Sequence, residues 1–154
     1  MSEGKGRPKQ ASAEGPQMNG FGGLEVPFID HLGIVLKHFA GGESELHYEA
    51  KPEHLNNFAV THGGACMTLL DVSMATAARS LREDFGVVTI EMKTSFMQPA
   101  IGPLRALGSV LHHTGRMAFT ESRIIDEQGR VCAHATGTFK YVPRSPTTHQ
   151  LPSD

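Results

Sequence analysis

Cysteine is scarce in this chain: there are two in 154 residues, Cys66 and Cys132. Two thiols so far apart in sequence exclude a disulfide framework, and both are expected as reduced core residues. Neither sign of charge dominates, with 14 Lys and Arg against 16 Asp and Glu for a formal net charge of −2. No basic stripe is present, so nucleic acid is not an expected partner. No apolar run approaches the ~20 residues of a membrane-crossing helix, so no membrane is expected either. The first residues are polar and Gly-rich, without the apolar centre of a signal peptide, and the expected location is cytoplasmic. The histidines form no H-x3-H pair on a helix and no Cys/His cluster, and His112 and His113 should face opposite sides of a strand; no metal site is expected. A G-x-S-x-G elbow, a P-loop and a dinucleotide fingerprint are all missing, which excludes the serine-hydrolase and nucleotide-binding routes these motifs mark.

The chain is organised around Asn56 to Arg82. From Gly63 to Ala78 it carries one charged residue, Asp71. Cys66, Leu69, Leu70, Ser73, Ala77 and Leu81 recur at helical spacing, and Met67, Met74, Ala75 and Ala78 make the rest of the circumference largely apolar. Such a helix belongs inside a structure. An unpaired carboxylate is expensive there and Asp is a poor helix-interior residue, so Asp71 calls for a functional reason. Thr61-His62-Gly63-Gly64 reads as the helix start, where free N–H groups and the positive end of the dipole suit a developing negative charge. Asp71 lies about 12 Å from Gly63 along the axis at the helical rise per residue. That is too far for both to act on one carbonyl within a single copy. Cooperation between them requires two copies of the chain.

At this length one domain is expected. Residues 1–23 are low in apolar side chains and read as a disordered arm; the folded domain spans 24–143, and the tail 144–154 also reads as disordered. A helical turn is expected through Phe28–Leu32. Strands follow at Ile34–Phe39 and Ser44–Ala50 around Gly41-Gly42, and then at Val87–Met97, Leu104–His113, Met117–Asp126 and Val131–Val142. In the third of these, Val88, Ile90, Met92 and Phe96 should form the apolar face, with Thr89, Glu91, Lys93 and Ser95 on the other. The fold class is α+β: one long helix wrapped by a curved antiparallel meander, with an edge or face left for a second copy to cover.

Asn56…His62-Gly63-Gly64…Leu70-Asp71, Val88-Thr89-Ile90-Glu91-Met92 through Phe96-Met97-Gln98-Pro99-Ala100, and the closing Gly129 to Thr138 together resemble the hotdog-fold acyl-CoA thioesterases. The likeness covers about Phe28 to Val142. It is strongest to the branch that includes the phenylacetate-pathway thioesterase and human thioesterase superfamily member 2. The resemblance implies that the Gly63 N–H, with Gly64 beside it, is the oxyanion donor and that Asp71 of a partner subunit is general base or nucleophile. It also implies that Asn56 holds the carbonyl or the attacking water, that Thr89 orients that water, and that His62 belongs to the same catalytic turn. Coenzyme A, as part of the substrate rather than a cofactor, would run along a subunit interface past Thr89, Glu91, Phe96, the turn His113-Thr114-Gly115-Arg116-Met117, and Lys140. A homodimer or homotetramer follows from the same likeness.

Each residue also has a plainer reading: Asn56 as an Asx-turn residue, His62 as a shaper of the helix start, Thr89 as an ordinary strand residue, Arg116 and Lys140 as surface cations. Glu91 is the rival acid. Met67, Leu70, Met74 and Phe96 are candidates for the acyl pocket, because methionine-rich surfaces adapt to varied apolar shapes. The expected function is hydrolysis of a medium- or long-chain or aryl acyl-CoA. The alternatives are a non-catalytic acyl-CoA-binding module and a hotdog dehydratase or hydratase.

Overall fold

The computed structural model describes residues 23–144. The arm expected over 1–23 and the tail over 144–154 lie, but for the innermost residue of each, outside the described residues. A short helix α1, Pro27–Leu32, opens the fold, with proline in its first turn and Gly33 at φ 75° as its left-handed stop. Strands β1, Val35–Ala40, and β2, Glu43–Glu49, form a hairpin whose turn residues Gly41 and Gly42 both take positive φ. A single 3-10 turn at Pro52–His54 leads toward the long helix α2, Gly63–Arg79. Four longer strands follow: β3 Phe85–Phe96, β4 Pro103–His113, β5 Met117–Ile125 and β6 Val131–Pro143.

All six strands belong to one antiparallel sheet in the order β1-β2-β4-β5-β6-β3. The expected meander holds for β4-β5-β6, but β3 lies outside β6 rather than beside β4. It is therefore the long edge strand, with one side of its backbone ladder unpaired among the described residues.

Helix α2 lies across the concave face of the sheet. Leu69, Leu70, Met74, Ala77 and Ala78 are fully buried there, with Leu46, Ala106, Ile124, Ala135 and Phe139 among the buried sheet residues. Small residues on the sheet allow the close approach. A Cβ at Gly108 would stand 2.4 Å from the Ser73 carbonyl oxygen, to which Ser44 donates its hydroxyl at 2.6 Å. The helix stops at Arg79, short of Leu81; Ser80 caps it and accepts the Gly42 N–H of the β1-β2 turn at 2.7 Å.

One expectation about β3 is overturned. Pairing with β6 advances from Thr89↔Phe139 to Glu91↔Thr138, so Ile90 is an inserted bulge residue. A bulge reverses the alternation beyond it. Thr89 thus turns toward α2, whereas Glu91 turns to the far face and accepts a hydrogen bond from Thr138 at 2.7 Å. The four residues Thr89, Glu91, Lys93 and Ser95 do not share a face, nor do Val88 and Met92.

Candidate active site

Two groups of the residues singled out from sequence come together, at two separate places. The first joins α2 to β3. Asp71 sits half-buried in the middle of the helix, and Thr89 donates its hydroxyl to Asp71 Oδ1 at 2.7 Å. Burial pushes the Asp71 carboxyl above the usual carboxylate range, and the Thr89 hydrogen bond pulls it partly back. Among the described residues no Lys, Arg or His forms an ion pair with it. This carboxylate is therefore oriented by one donor and left free to take a proton.

The second group surrounds the start of α2. His62 is the N-cap: its Nδ1 accepts the Gly64 N–H at 2.8 Å, and a Cβ at Gly64 would press on that nitrogen at 3.0 Å. The Gly64 N–H is thus already engaged by the His62 ring. Gly63 N–H makes no backbone hydrogen bond among the described residues, and it stands at the positive end of the helix dipole. The ring of Phe96 lies over Gly63, so a Cβ there would meet it at 3.5 Å.

Asn56 takes the turn role of its plainer reading. Its Oδ1 accepts the N–H groups of Phe58, at 2.9 Å, and Val60, at 3.3 Å, as an Asx-type turn residue. With that oxygen occupied, its amide NH2 remains to donate. Asn56, Gly63 and Phe96 line one cavity of about 400 Å³, together with Thr61, Cys66, Pro99 and Cys132.

Leu70 and Met74, expected in an acyl pocket, are instead fully buried core residues, Met74 lying against Gly137. They sit on the helix face pressed to the sheet. Of that group only Phe96 lines the cavity, while Met67 is exposed on the helix surface. The cavity residues that sequence reasoning missed include Thr61, Cys66, Cys132, Ala133 and the stretch Met97-Gln98-Pro99-Ala100. Cys66 had a signal, since it follows Gly63 by one turn. Cys132 had none, because its position comes from the pairing of β6 with β3.

The residues assigned to coenzyme A divide as well. Thr114 Oγ1 accepts the N–H groups of Arg116 and Met117, which shapes the β4-β5 turn, and the Gly115 carbonyl accepts from the Arg82 guanidinium. His113 and Arg116 are exposed there, and Lys140 is paired across the sheet with both Met117 and Val88. This cluster lies near the beginning of β3, at the other end of the strand from Phe96. Glu91, on the far face, is joined to neither group.

A single helix laid across a six-stranded antiparallel sheet, with an acid on the helix and a glycine turn at its start, defines a hotdog-fold protein. Residues 58–133 match the Thioesterase superfamily. That match and the fold together support a place in the hotdog thioesterase superfamily. A protein of Saccharolobus solfataricus provisionally named an esterase is 29% identical over 115 residues, covering 74% of this chain and 81% of the relative. Among solved structures, a conserved protein of Pseudomonas aeruginosa superposes with a TM-score of 0.73 at 26% identity, covering 77% of this chain and 95% of that one. The PaaI protein of the E. coli phenylacetic acid degradation operon shares the fold, with a TM-score of 0.70 at 21% identity over 75% of this chain and 83% of its own. No described helix is long and apolar enough to cross a membrane.

Proposed function

We propose that this protein hydrolyses acyl-CoA thioesters in a site shared between two copies of the chain. The observation that carries the reading is the state of Asp71: a half-buried helix carboxylate, oriented by Thr89 and opposed by no cation among the described residues. Gly63 and Asn56 supply the complementary donors at the other end of β3. Antiparallel pairing of β3 with the same strand of a second copy sets the Thr89 end of one beside the Phe96 end of the other, which brings the two groups to one place. It also satisfies the open edge.

In this arrangement the thioester carbonyl accepts the Gly63 N–H and an Asn56 amide hydrogen, and Asp71 of the partner subunit acts on the opposite face. As general base it takes a proton from water, the water oxygen attacks the carbonyl carbon, and the oxyanion forms against donors already in place. Collapse of that adduct breaks the C–S bond and releases the free acid and the coenzyme A thiol. Direct attack by the carboxylate would give the same products through an anhydride and a second, hydrolytic step. The cavity beside Gly63 takes the acyl group; at about 400 Å³ and with Phe96 and Pro99 in its wall, it suits a medium or long acyl chain or an aryl group. Arg116 and Lys140 are the cations placed to meet the nucleotide phosphates. A cytoplasmic setting belongs to the same reading.

Thiol release from a series of acyl-CoAs tests this. Turnover is expected for medium, long or aryl acyl groups, and Asp71→Asn is expected to lower kcat by about 100-fold or more. Activity confined to acetyl-CoA would remove the assigned acyl pocket. Full turnover by Asp71→Asn would remove the assigned base and make Glu91 the next acid to examine.

A further inference from the structure

His54 takes no part in the chemistry above, yet it is tied to the backbone on both sides of the Asn56 loop. It closes the 3-10 turn before the Asn56 loop and is 6% exposed. Its Nδ1 accepts the Lys51 N–H at 3.2 Å and lies 2.9 Å from the hydroxyl of Tyr48, on which the ring stacks with centroids 5.9 Å apart. A backbone N–H can only donate, so Nδ1 presents its lone pair and the ring proton is on Nε2. Tyr48 must then donate as well; burial pushes its phenol up to about 12, which keeps that proton in place. Nε2 is buried with no hydrogen-bond partner among the described residues. Filling this space would require no imidazole. A phenyl ring would stack on residue 48 without burying an unpaired Nε2–H, at the cost of the acceptor that the Lys51 N–H now uses.

What the imidazole secures is the backbone around it. The His54 carbonyl accepts the His62 N–H at 2.8 Å, and Leu55 bridges to Thr61. His62 in turn caps α2 through Gly64, and Asn56 lies two residues beyond His54. One ring, bonded to β2 and to the Lys51 amide, thus anchors both the loop that aims Asn56 and the helix start that aims Gly63.

We propose that His54 is a positioning residue for the acyl-transfer site, acting through the His62 N–H and the Asn56 loop, with Tyr48 as its support. The proposal rests on the thioesterase reading for its effect on turnover, but not for the anchoring itself. Three proteins test it: His54→Asn, which restores an acceptor near the Nδ1 position; His54→Phe; and His54→Phe with Tyr48→Phe, which removes the imidazole and the phenol hydroxyl together, leaves the N–H of the exposed Lys51 to water, and keeps two stacked rings. Removal of both partners should leave the melting temperature and the assembly close to wild type. The double variant is expected to lose about 10- to 100-fold in kcat, as small misplacements of catalytic groups do, with KM changed by less than about 3-fold. His54→Asn should recover most of that loss. Amide hydrogen exchange across residues 55–64 should speed up in both Phe variants and return toward wild type in His54→Asn.

Wild-type kcat in the folded double variant, or exchange unchanged across 55–64, overturns the proposal. So does an equal loss in His54→Asn and His54→Phe, which would show that restoring an acceptor at this position recovers nothing. A wild-type protein inactive on every acyl-CoA would instead overturn the thioesterase reading. The exchange measurement would then still decide whether His54 anchors this loop.

Discussion

Thr89 Oγ1 on the edge strand donates to Asp71 Oδ1 in the middle of α2 at 2.7 Å, a hydrogen bond that ties this strand to the helix acid. Burial raises the Asp71 pKa, and this bond works against the rise. The folded protein therefore holds the Asp71 proton more tightly than the unfolded chain does. Between the ordinary aspartate value of about 3.9 and the raised one, stability falls as pH rises. Asp71→Asn keeps the shape and removes the buried charge, so it should melt above wild type at pH 7. The difference should shrink as pH drops below the ordinary aspartate value, where both proteins are neutral at this position. Equal melting temperatures at pH 7 would show that the charge costs nothing in the fold.

Thr89 gives a prediction of opposite chemical sense. Thr89→Val removes the donor that favours the carboxylate and leaves burial unopposed, so the carboxyl should become harder to ionise. If the ionised form is the base, kcat/KM falls on the acid side as Asp71 takes up its proton. In Thr89→Val that acid limb should move to higher pH, with kcat on the plateau lowered by about 10-fold from the loss of orientation. A pH–rate profile superimposable on wild type would separate Thr89 from the chemistry.

Ala59 holds a third prediction, about the loop that carries Asn56. It sits at φ 58°, the one described non-glycine residue in the left-handed region. Its N–H donates to the Asn56 carbonyl at 3.0 Å, and Asn56 Oδ1 takes the amides on either side. The turn's hydrogen bonds hold alanine where a Cβ crowds its own backbone, at a cost of roughly 1 kcal/mol. Ala59→Gly relieves that crowding but frees the unfolded chain, so a net gain of a few tenths up to about 1 kcal/mol is expected from denaturant unfolding. Destabilisation would mean that alanine's methyl makes a contact worth more than the strain.

The helix, the strand segments and the glycine turn were legible because each obeys a local period or a local backbone requirement. Cys66, Leu69, Leu70, Ser73 and Ala77 announce a buried helix face, and all five are buried. The bulge at Ile90 was not legible, because an isoleucine there continues the alternation that the inserted residue breaks. Thr89 and Glu91 consequently read as neighbours on one face, although only Thr89 reaches Asp71. Leu70 and Met74 were misplaced for a related reason: the sequence shows that a helix is apolar nearly all round, not which arc meets the sheet. The cavity beside Gly63 depends on long-range pairing. Cys132 and Ala133 reach it because Ala133 pairs with Phe96, a register no local pattern encodes.

The last prediction concerns the division of the site between two copies. Asp71 and Gly63 are separated by about 12 Å along the axis of α2 at the helical rise per residue. Asp71 and Thr89 form one group, while Asn56, Gly63 and Phe96 gather at another cavity. A variant lacking the acid, Asp71→Ala, spoils one group and leaves the donors intact. A variant of the donor side, Asn56→Ala with Gly63→Pro, which removes the proposed oxyanion N–H, does the reverse. Proline is tolerated in the first turn of a helix, where its missing N–H breaks no helix bond. Each homo-oligomer should be nearly inactive. Unfolding and refolding an equal mixture yields hybrid dimers in which one of the two sites receives a wild-type acid from one chain and wild-type donors from the other. At random pairing half of the dimers are hybrids, each with one intact site of two, so about a quarter of wild-type activity should return. Hybrid formation is followed by mass spectrometry with one variant isotopically labelled. Hybrids present at the expected fraction without recovered activity would place both groups in the service of separate events, and the shared site would be wrong.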